Sequence, residues 1–239
     1  LLFSKKNREL GVTEIAQELG MYKSTVHRIL TTMENRGFLQ KNPKNNKYWI
    51  GLKIFSLGMY YSKNIKFRDI ARPFAQKLAD KYMETVHIAV IDFDKEEGPE
   101  VVVVDKIQKA QFLSMTPPIG SSSPAHCSAM GKVLLSYSKP SILKEIIKRP
   151  LKKYTDNTIT SVERLLEELS IVRKCGYAID DEELEIGLTC VAAPIFDFDN
   201  EVVASISLSG PTPRLKPRIE KEIIEDVKST AMEISRKLR

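Results

Sequence analysis

The sequence predicts an α+β chain in two parts, a small N-terminal winged helix-turn-helix and a larger domain of mixed helices and strands. Three observations carry this. Residues 12–31, "VTEIAQELGMYKSTVHRILT", hold two short apolar-faced helical patterns separated by a glycine. A strand–turn–strand pattern with an Asn/Lys-rich tip follows at residues 36–50. From Lys66 onward, helix-period and strand-period runs are mixed. Charge divides at the same place. Residues 1–65 hold 11 Lys/Arg against 4 Asp/Glu, a net of +7, whereas the remainder holds 26 against 27, a net of −1. Such asymmetry is expected when one module meets a polyanion and the other does not. The organisation is therefore a DNA-binding module at 1–51, a linker helix at 52–65 and a second domain at 66–239.

Bulk composition excludes several classes. At 239 residues, 42% hydrophobic and 28% charged, the chain reads as globular, and it has no apolar run near the roughly 20 residues that span a bilayer. Membrane insertion is not expected, nor is a signal peptide. Cys127, Cys175 and Cys190 are odd in number and irregularly spaced, which argues against a disulfide framework and for a reducing cytoplasm.

The elements follow in order. "LLFSKK" reads as the last turn of a shortened first helix. Ile15, Ala16 and Leu19 form the buried stripe of the next helix, and Gly20 ends it, because a left-handed backbone is cheap only for glycine. Met21, Val26, Ile29, Leu30 and Met33 are expected to face inward from the second helix. That leaves Lys23, Ser24, Thr25, His27 and Arg28 outward, where a recognition helix meets base edges and phosphates. The wing pairs residues near Phe38 and Leu39 with 48–50. Its tip presents Lys41, Lys44 and Lys47, with Asn42, Asn45 and Asn46, suited to phosphate contact. "GLKIFSLGMYYSKN" is a linker helix too apolar to stand alone, to be covered by a partner subunit or by the second domain.

In the second domain Ile70, Phe74 and Leu78 line a helix ending near Lys81. Strands are expected at Thr85–Asp92, Glu100–Ile107 and 112–116. "TPPIGSSSPAH" is read as a loop and 128–136 as a helix. A further helix starts from a Thr160–Glu163 capping box and ends near Gly176. Strands at 189–196 and 202–209 flank the turn "DFDN", and a helix from about Pro217 closes the chain. "GYAIDDEELEIGLTCVAAP" raises a chemical question, since it packs Asp180, Asp181, Glu182, Glu183 and Glu185 beside Cys190. Catalytic carboxylates, metal ligands and a binding pocket all compete for it.

Taken together, "TEIAQELGMYKSTVHRIL", "ETVHIAV", "PAHCSAMGKVLL", "GYAIDDEELEIGLTCVAAPIFD" and "ASISLSGP" resemble, in this order and over essentially the whole chain, the IclR family of transcription regulators. The resemblance implies a GAF-like α/β effector-binding domain with an antiparallel sheet, fused to the DNA-binding module. It implies a homodimer or homotetramer on double-stranded operator DNA, acting as a repressor of a catabolic operon and responding to a small organic acid or aromatic effector. Carried over position by position, it assigns the effector pocket to Ala129, Met130, Asp180, Cys190, Ser207 and Ser209, with Phe112, Met115 and Leu188 as apolar walls. Two departures are specific. Ala129–Met130 stands where a carboxylate-binding member has a smaller Gly-Ala pair, so ligand identity does not transfer. Tyr22 stands where a capping serine is common, at a cost of about 1 kcal/mol unless Lys23 or Ser24 shifts the boundary.

The physical reading of that pocket is consistent. Ser207 and Ser209 are two apart on a strand and share a face. The N–H groups at 128–131 open a helix, where an anion is favoured. Asp180 would accept from a ligand hydroxyl or from loop N–H groups, with the other carboxylates capping, solvated or paired at the surface. The alternative is a small-molecule enzyme with an accessory DNA-binding-like domain. His126 and Cys127 are adjacent and cannot easily face one another, and no orienting third group is evident, so no catalytic residues are assigned. His87, His126, Cys127 and Cys190 lack metal-motif spacing, and neither metal nor cofactor is expected.

Overall fold

The computed structural model describes residues 2–3, 9–94, 98–109, 117–146 and 149–239. The chain divides into two compact units, Leu1–Ile65 and Lys66–Arg239.

In the first unit, α1 (Val12–Leu19) opens with the Gly11 N–H donating to the Glu14 carboxylate at 2.7 Å. It closes at Gly20, whose φ of 62° is the left-handed conformation the sequence predicts. The recognition helix α2 (Lys23–Asn35) starts from Tyr22, whose side chain makes no capping bond, so the boundary has not shifted to recover one. The wing strands β1 (Leu39–Lys41) and β2 (Tyr48–Ile50) pair antiparallel. Leu10, Ile15, Ala16, Val26, Leu30, Leu39 and Tyr48 form the core of this unit. Three expected core residues differ. Leu19, Met21 and Ile29 remain substantially exposed and line an apolar cleft with Leu2 and Phe3. The linker helix α3 (Leu52–Asn64) buries none of its residues. Leu52, Phe55, Leu57, Met59, Tyr60 and Tyr61 are all exposed, which leaves it as apolar and uncovered as the sequence suggests.

The second unit begins with α4 (Lys66–Tyr82), followed by β3 (Thr85–Asp92) and β4 (Glu100–Ile107). The strand expected at 112–116 lies outside the described residues. Within "TPPIGSSSPAH" the structure instead forms a short edge strand, β5 (Ser122–Pro124), and a 3₁₀ turn at Ala125–Cys127. Then come α5 (Ala129–Ser136), α6 (Pro140–Ile146) and α7 (Val162–Cys175). The cap of α7 is Ser161 rather than Thr160: its hydroxyl accepts from the Arg164 N–H and donates to Glu163. Strands β6 (Ala178–Asp181), β7 (Leu188–Phe196) and β8 (Val202–Pro211) follow. The chain closes through α8 (Thr212–Leu215), a 3₁₀ turn, a π-turn and α9 (Ile224–Leu238).

Among the described residues of this unit six strands make one antiparallel sheet in the order β5-β4-β3-β8-β7-β6. Helices α4 and α9 pack on one face, and α5 lies on the other with α7 behind it. A main core lies between α5, α7 and that second face, built from Ala89, Ala129, Met130, Val133, Leu134, Leu165, Leu169, Ala178 and Ala192. At Gly131 a side chain has no room, because a Cβ would stand 2.2 Å from the Ala125 carbonyl oxygen. This close approach seats the start of α5 against the 3₁₀ turn and over the sheet.

Candidate DNA interface and effector site

In the first unit Lys23, Ser24, Thr25, His27 and Arg28 are all exposed on α2, the first turn of which is the end a recognition helix presents to DNA. Lys41 and Lys44 are exposed on the wing, but Lys47 is partly covered and paired with Glu14 at 3.1 Å. The wing asparagines also serve the fold. Asn42 accepts from the Lys44 N–H and Asn45 from the Lys47 N–H, each at 2.9 Å, while both amides donate to Glu9. The tip is thus pre-shaped by its own side chains. That leaves Lys41 and Lys44 as its cations best placed for phosphate.

In the second unit, strand pairing places the predicted effector residues in two adjacent cross-sheet rows. Paired residues share a face, and so do residues two apart along a strand. One row runs Thr85, Ser209, Cys190, Asp180 across β3, β8, β7 and β6. The neighbouring row runs Lys106, His87, Ser207, Ala192, Ala178 from β4 to β6. Ala178 and Ala192 pack with Ala129 and Met130, with Cys190 alongside, so this is the face that α5 covers. The structure therefore brings together Ala129, Met130, Asp180, Cys190, Ser207 and Ser209, with Leu188 two residues before Cys190 on the same strand face. Phe112 and Met115 lie outside the described residues. A cleft of about 470 Å³ elsewhere in the unit is lined by Pro99, His126, Arg149, Leu151 and Tyr154, and by none of the predicted effector residues that lie among the described residues.

Asp180 is 2% exposed, and its Oδ1 accepts from the Glu183 N–H at 2.8 Å. Burial pushes its carboxyl up to about 7, with the Glu183 carboxylate adding to the rise and Lys132 opposing it. The same loss of water raises the Cys190 thiol well above its ordinary range and takes Cys127 up to about 12, so neither is a thiolate nucleophile at neutral pH. The hydroxyls of Ser207 and Ser209 lie 3.4 Å apart. At the start of α5 the Ser128 hydroxyl already accepts from the Gly131 N–H at 3.2 Å, so fewer of the 128–131 N–H groups are open to an anion than the sequence suggests.

The acidic loop departs most from expectation. Asp181 does pair with Lys216, at 2.8 Å. Glu183, however, is not at the surface. It is 6% exposed and meets the ammonium of Lys132, itself 1% exposed, at 2.5 Å, with Glu168 a second partner at 3.3 Å. Thr155 and Thr158 donate to the Glu182 and Glu183 carbonyls, at 2.6 Å each. Sequence reasoning missed Lys132, whose only signal is its place after the close-packed Gly131. It also weighed His87 only as a metal ligand. His126 instead bonds to the Lys152 carbonyl at 3.0 Å, and among the described residues no group of three or more metal-binding side chains comes together.

Comparison with known proteins places this architecture. The family described as "Bacterial transcriptional regulator IclR C-terminal" matches residues 59–236, and the "IclR helix-turn-helix domain" matches residues 1–43. The HTH-type transcriptional regulator KdgR of Dickeya chrysanthemi is 36% identical over 231 residues, covering 96% of this chain and 74% of that protein. The transcriptional repressor IclR of Escherichia coli K12 is 36% identical over 213 residues, covering 89% and 77%. The crystal structure of the Thermotoga maritima IclR matches with a TM-score of 0.71 at 34% identity, covering 97% of this chain and 92% of that one. An IclR homolog from Microbacterium hydrocarbonoxydans, solved in complex with 4-hydroxybenzoate, shares the fold at 23% identity with a TM-score of 0.78, covering 97% and 92%. No helix among the described residues is long and apolar enough to cross a membrane. A winged helix-turn-helix joined to a helix-covered antiparallel sheet, matched along nearly its whole length by these regulators, makes this chain a member of the IclR family of DNA-binding transcription regulators and not an enzyme.

Proposed function

We propose that this regulator is a cytoplasmic repressor of a catabolic operon, and that a small organic acid or aromatic effector releases it from its operator. The observation that carries the reading is the division of labour. A unit of net charge +7 presents an exposed recognition helix, and a near-neutral unit holds a buried polar face under α5. On the DNA side the contacts fall to Lys23, Ser24, Thr25, His27, Arg28, Lys41 and Lys44, with Lys47 contributing through its exposed edge. On the effector side they fall to Ala129, Met130, Asp180, Leu188, Cys190, Ser207 and Ser209, with Phe112 and Met115 as walls. The uncovered apolar surface of α3 supports a homodimer or homotetramer in which a second copy covers that helix. Ligand then acts through its different affinity for two arrangements of the linker helices.

Binding to DNA from the regulator's own upstream region, followed by fluorescence anisotropy, tests this reading. Four cations per head (Lys23, Arg28, Lys41 and Lys44) give about eight phosphate contacts in a dimer and a log–log salt slope near −7. Affinity should then fall by about 10⁴-fold between 50 and 200 mM salt. A flat salt response, or no preference for that DNA over an unrelated duplex, refutes it.

A further inference from the structure

Met130 packs with Ala178 and Ala192, alongside Cys190, and so fills the part of the sheet face over β6 and β7. The remaining polar part of the two rows lies toward β8, β3 and β4, where His87 stands between Ser207 and Lys106. His87 is 1% exposed, yet neither of its ring nitrogens makes a hydrogen bond. A buried polar group without a partner destabilises the fold, and this residue carries two.

Its chemistry can be narrowed. Burial pulls the imidazole down to about 3, so it is neutral near pH 7, with one nitrogen a donor and the other an acceptor. In either tautomer one ring nitrogen is a pure acceptor. A carboxylate oxygen cannot satisfy it, but a hydroxyl can. Within the protein the hydroxyl of Ser207, its cross-strand partner, lies 3.4 Å from that of Ser209. On the far side Lys106, partly covered, supplies positive charge to the same row.

We propose that His87 is a specificity-determining residue of the effector face, accepting a hydrogen bond from a hydroxyl on a small carboxylate ligand. The effector class is then a hydroxy acid, its carboxylate directed to the Ser207 and Ser209 hydroxyls and its hydroxyl read by the imidazole. The inference rests on the reading of this face as an effector site, and deepens it.

The test is isothermal titration of the full chain with matched pairs: lactate and propionate, 3-hydroxybutyrate and butyrate, 6-hydroxyhexanoate and hexanoate. At least one hydroxy acid should bind roughly ten- to a hundred-fold tighter than its deoxy partner. His87→Phe, similar in size and without polar atoms, should abolish that gap while leaving the deoxy acid within about three-fold of its wild-type affinity. His87→Gln, which keeps an acceptor oxygen, should retain part of the gap, and it serves if the phenylalanine variant does not fold. Equal binding within every pair, or a gap that survives in both variants, overturns the role of His87 while leaving the effector face in place. No binding by any of these acids overturns the hydroxy-acid assignment, and binding of an aromatic ligand in their place would leave the effector face standing without it.

Discussion

Replacing Lys132 with methionine tests the most consequential contact in the effector unit. Its side chain is 2% exposed and that of Glu183 is 8% exposed, so the pair has almost no solvent to fall back on. Removing the ammonium leaves Glu183 charged and buried beside Asp180, with one carboxylate oxygen already lacking a partner. Breaking a buried pair from one side costs about 3–5 kcal/mol. For a unit of this size about 2–4 °C is lost per kcal/mol, so the melting temperature should fall by roughly 6–20 °C in differential scanning calorimetry. The double substitution Lys132→Met with Glu183→Leu removes both charges and should recover most of that loss. pH supplies a second check. Burial already holds the Glu183 carboxyl above the usual range with Lys132 opposing the rise, so in Lys132→Met the folded state takes up a proton that the unfolded state lacks. The deficit should therefore shrink as pH is lowered from 8 to 5. A fall under about 3 °C, or a double variant no more stable than the single one, would refute the argument that this pair holds the acidic loop.

Arg28→Ala should weaken operator binding about ten-fold or more at fixed salt and flatten the salt slope by about one unit per head, with effector affinity unchanged; equal loss of both functions would place Arg28 elsewhere. Asp180→Asn keeps an oxygen for the Glu183 N–H but removes the buried charge. Because the folded carboxyl titrates at about 7 against an ordinary 3.8, the folded state holds a proton the unfolded state has lost between those values, and wild-type stability falls as pH rises through that window. Urea unfolding should show the variant more stable than wild type at pH 8 by up to about 4 kcal/mol, with the advantage gone near pH 4. Tyr22→Ser should supply the missing cap of α2 and raise stability by about 0.5–1 kcal/mol, measured by thermal melting; no gain would mean that the N–H groups of that turn are already satisfied.

What the sequence made legible was local. The glycine-punctuated helix pair, the wing and the long strands follow from periodicity and from Gly20, each confined to a few neighbouring residues. The edge strand Ser122–Pro124 was hidden because serine and proline read as loop, and the strand exists only because β4 offers it an edge. One-residue ambiguity between Thr160 and Ser161 could not be resolved by pattern, since both carry a capping hydroxyl. Ile29 keeps apolar spacing but faces a cleft instead of the core. The largest misreading, Glu183 as surface, has a non-local cause: its partner Lys132 lies 51 positions earlier, on a helix brought over the sheet by the crowding at Gly131. His87 shows the same limit. Its neighbours Lys106 and Ser207 are set by the strand order, which no local pattern encodes.

The two cross-sheet rows have a consequence for how such a sensor can change its diet. The inner rungs, His87, Ser207, Ser209, Cys190 and Ala192, sit on backbone held by the ladder on both sides. On the proposed effector face, exchanging one of these rungs would change the chemistry offered to a ligand at one point and leave its neighbours where they were. New tastes can therefore be acquired one side chain at a time, with no refolding of the scaffold and no disturbance of the clamp on the acidic loop.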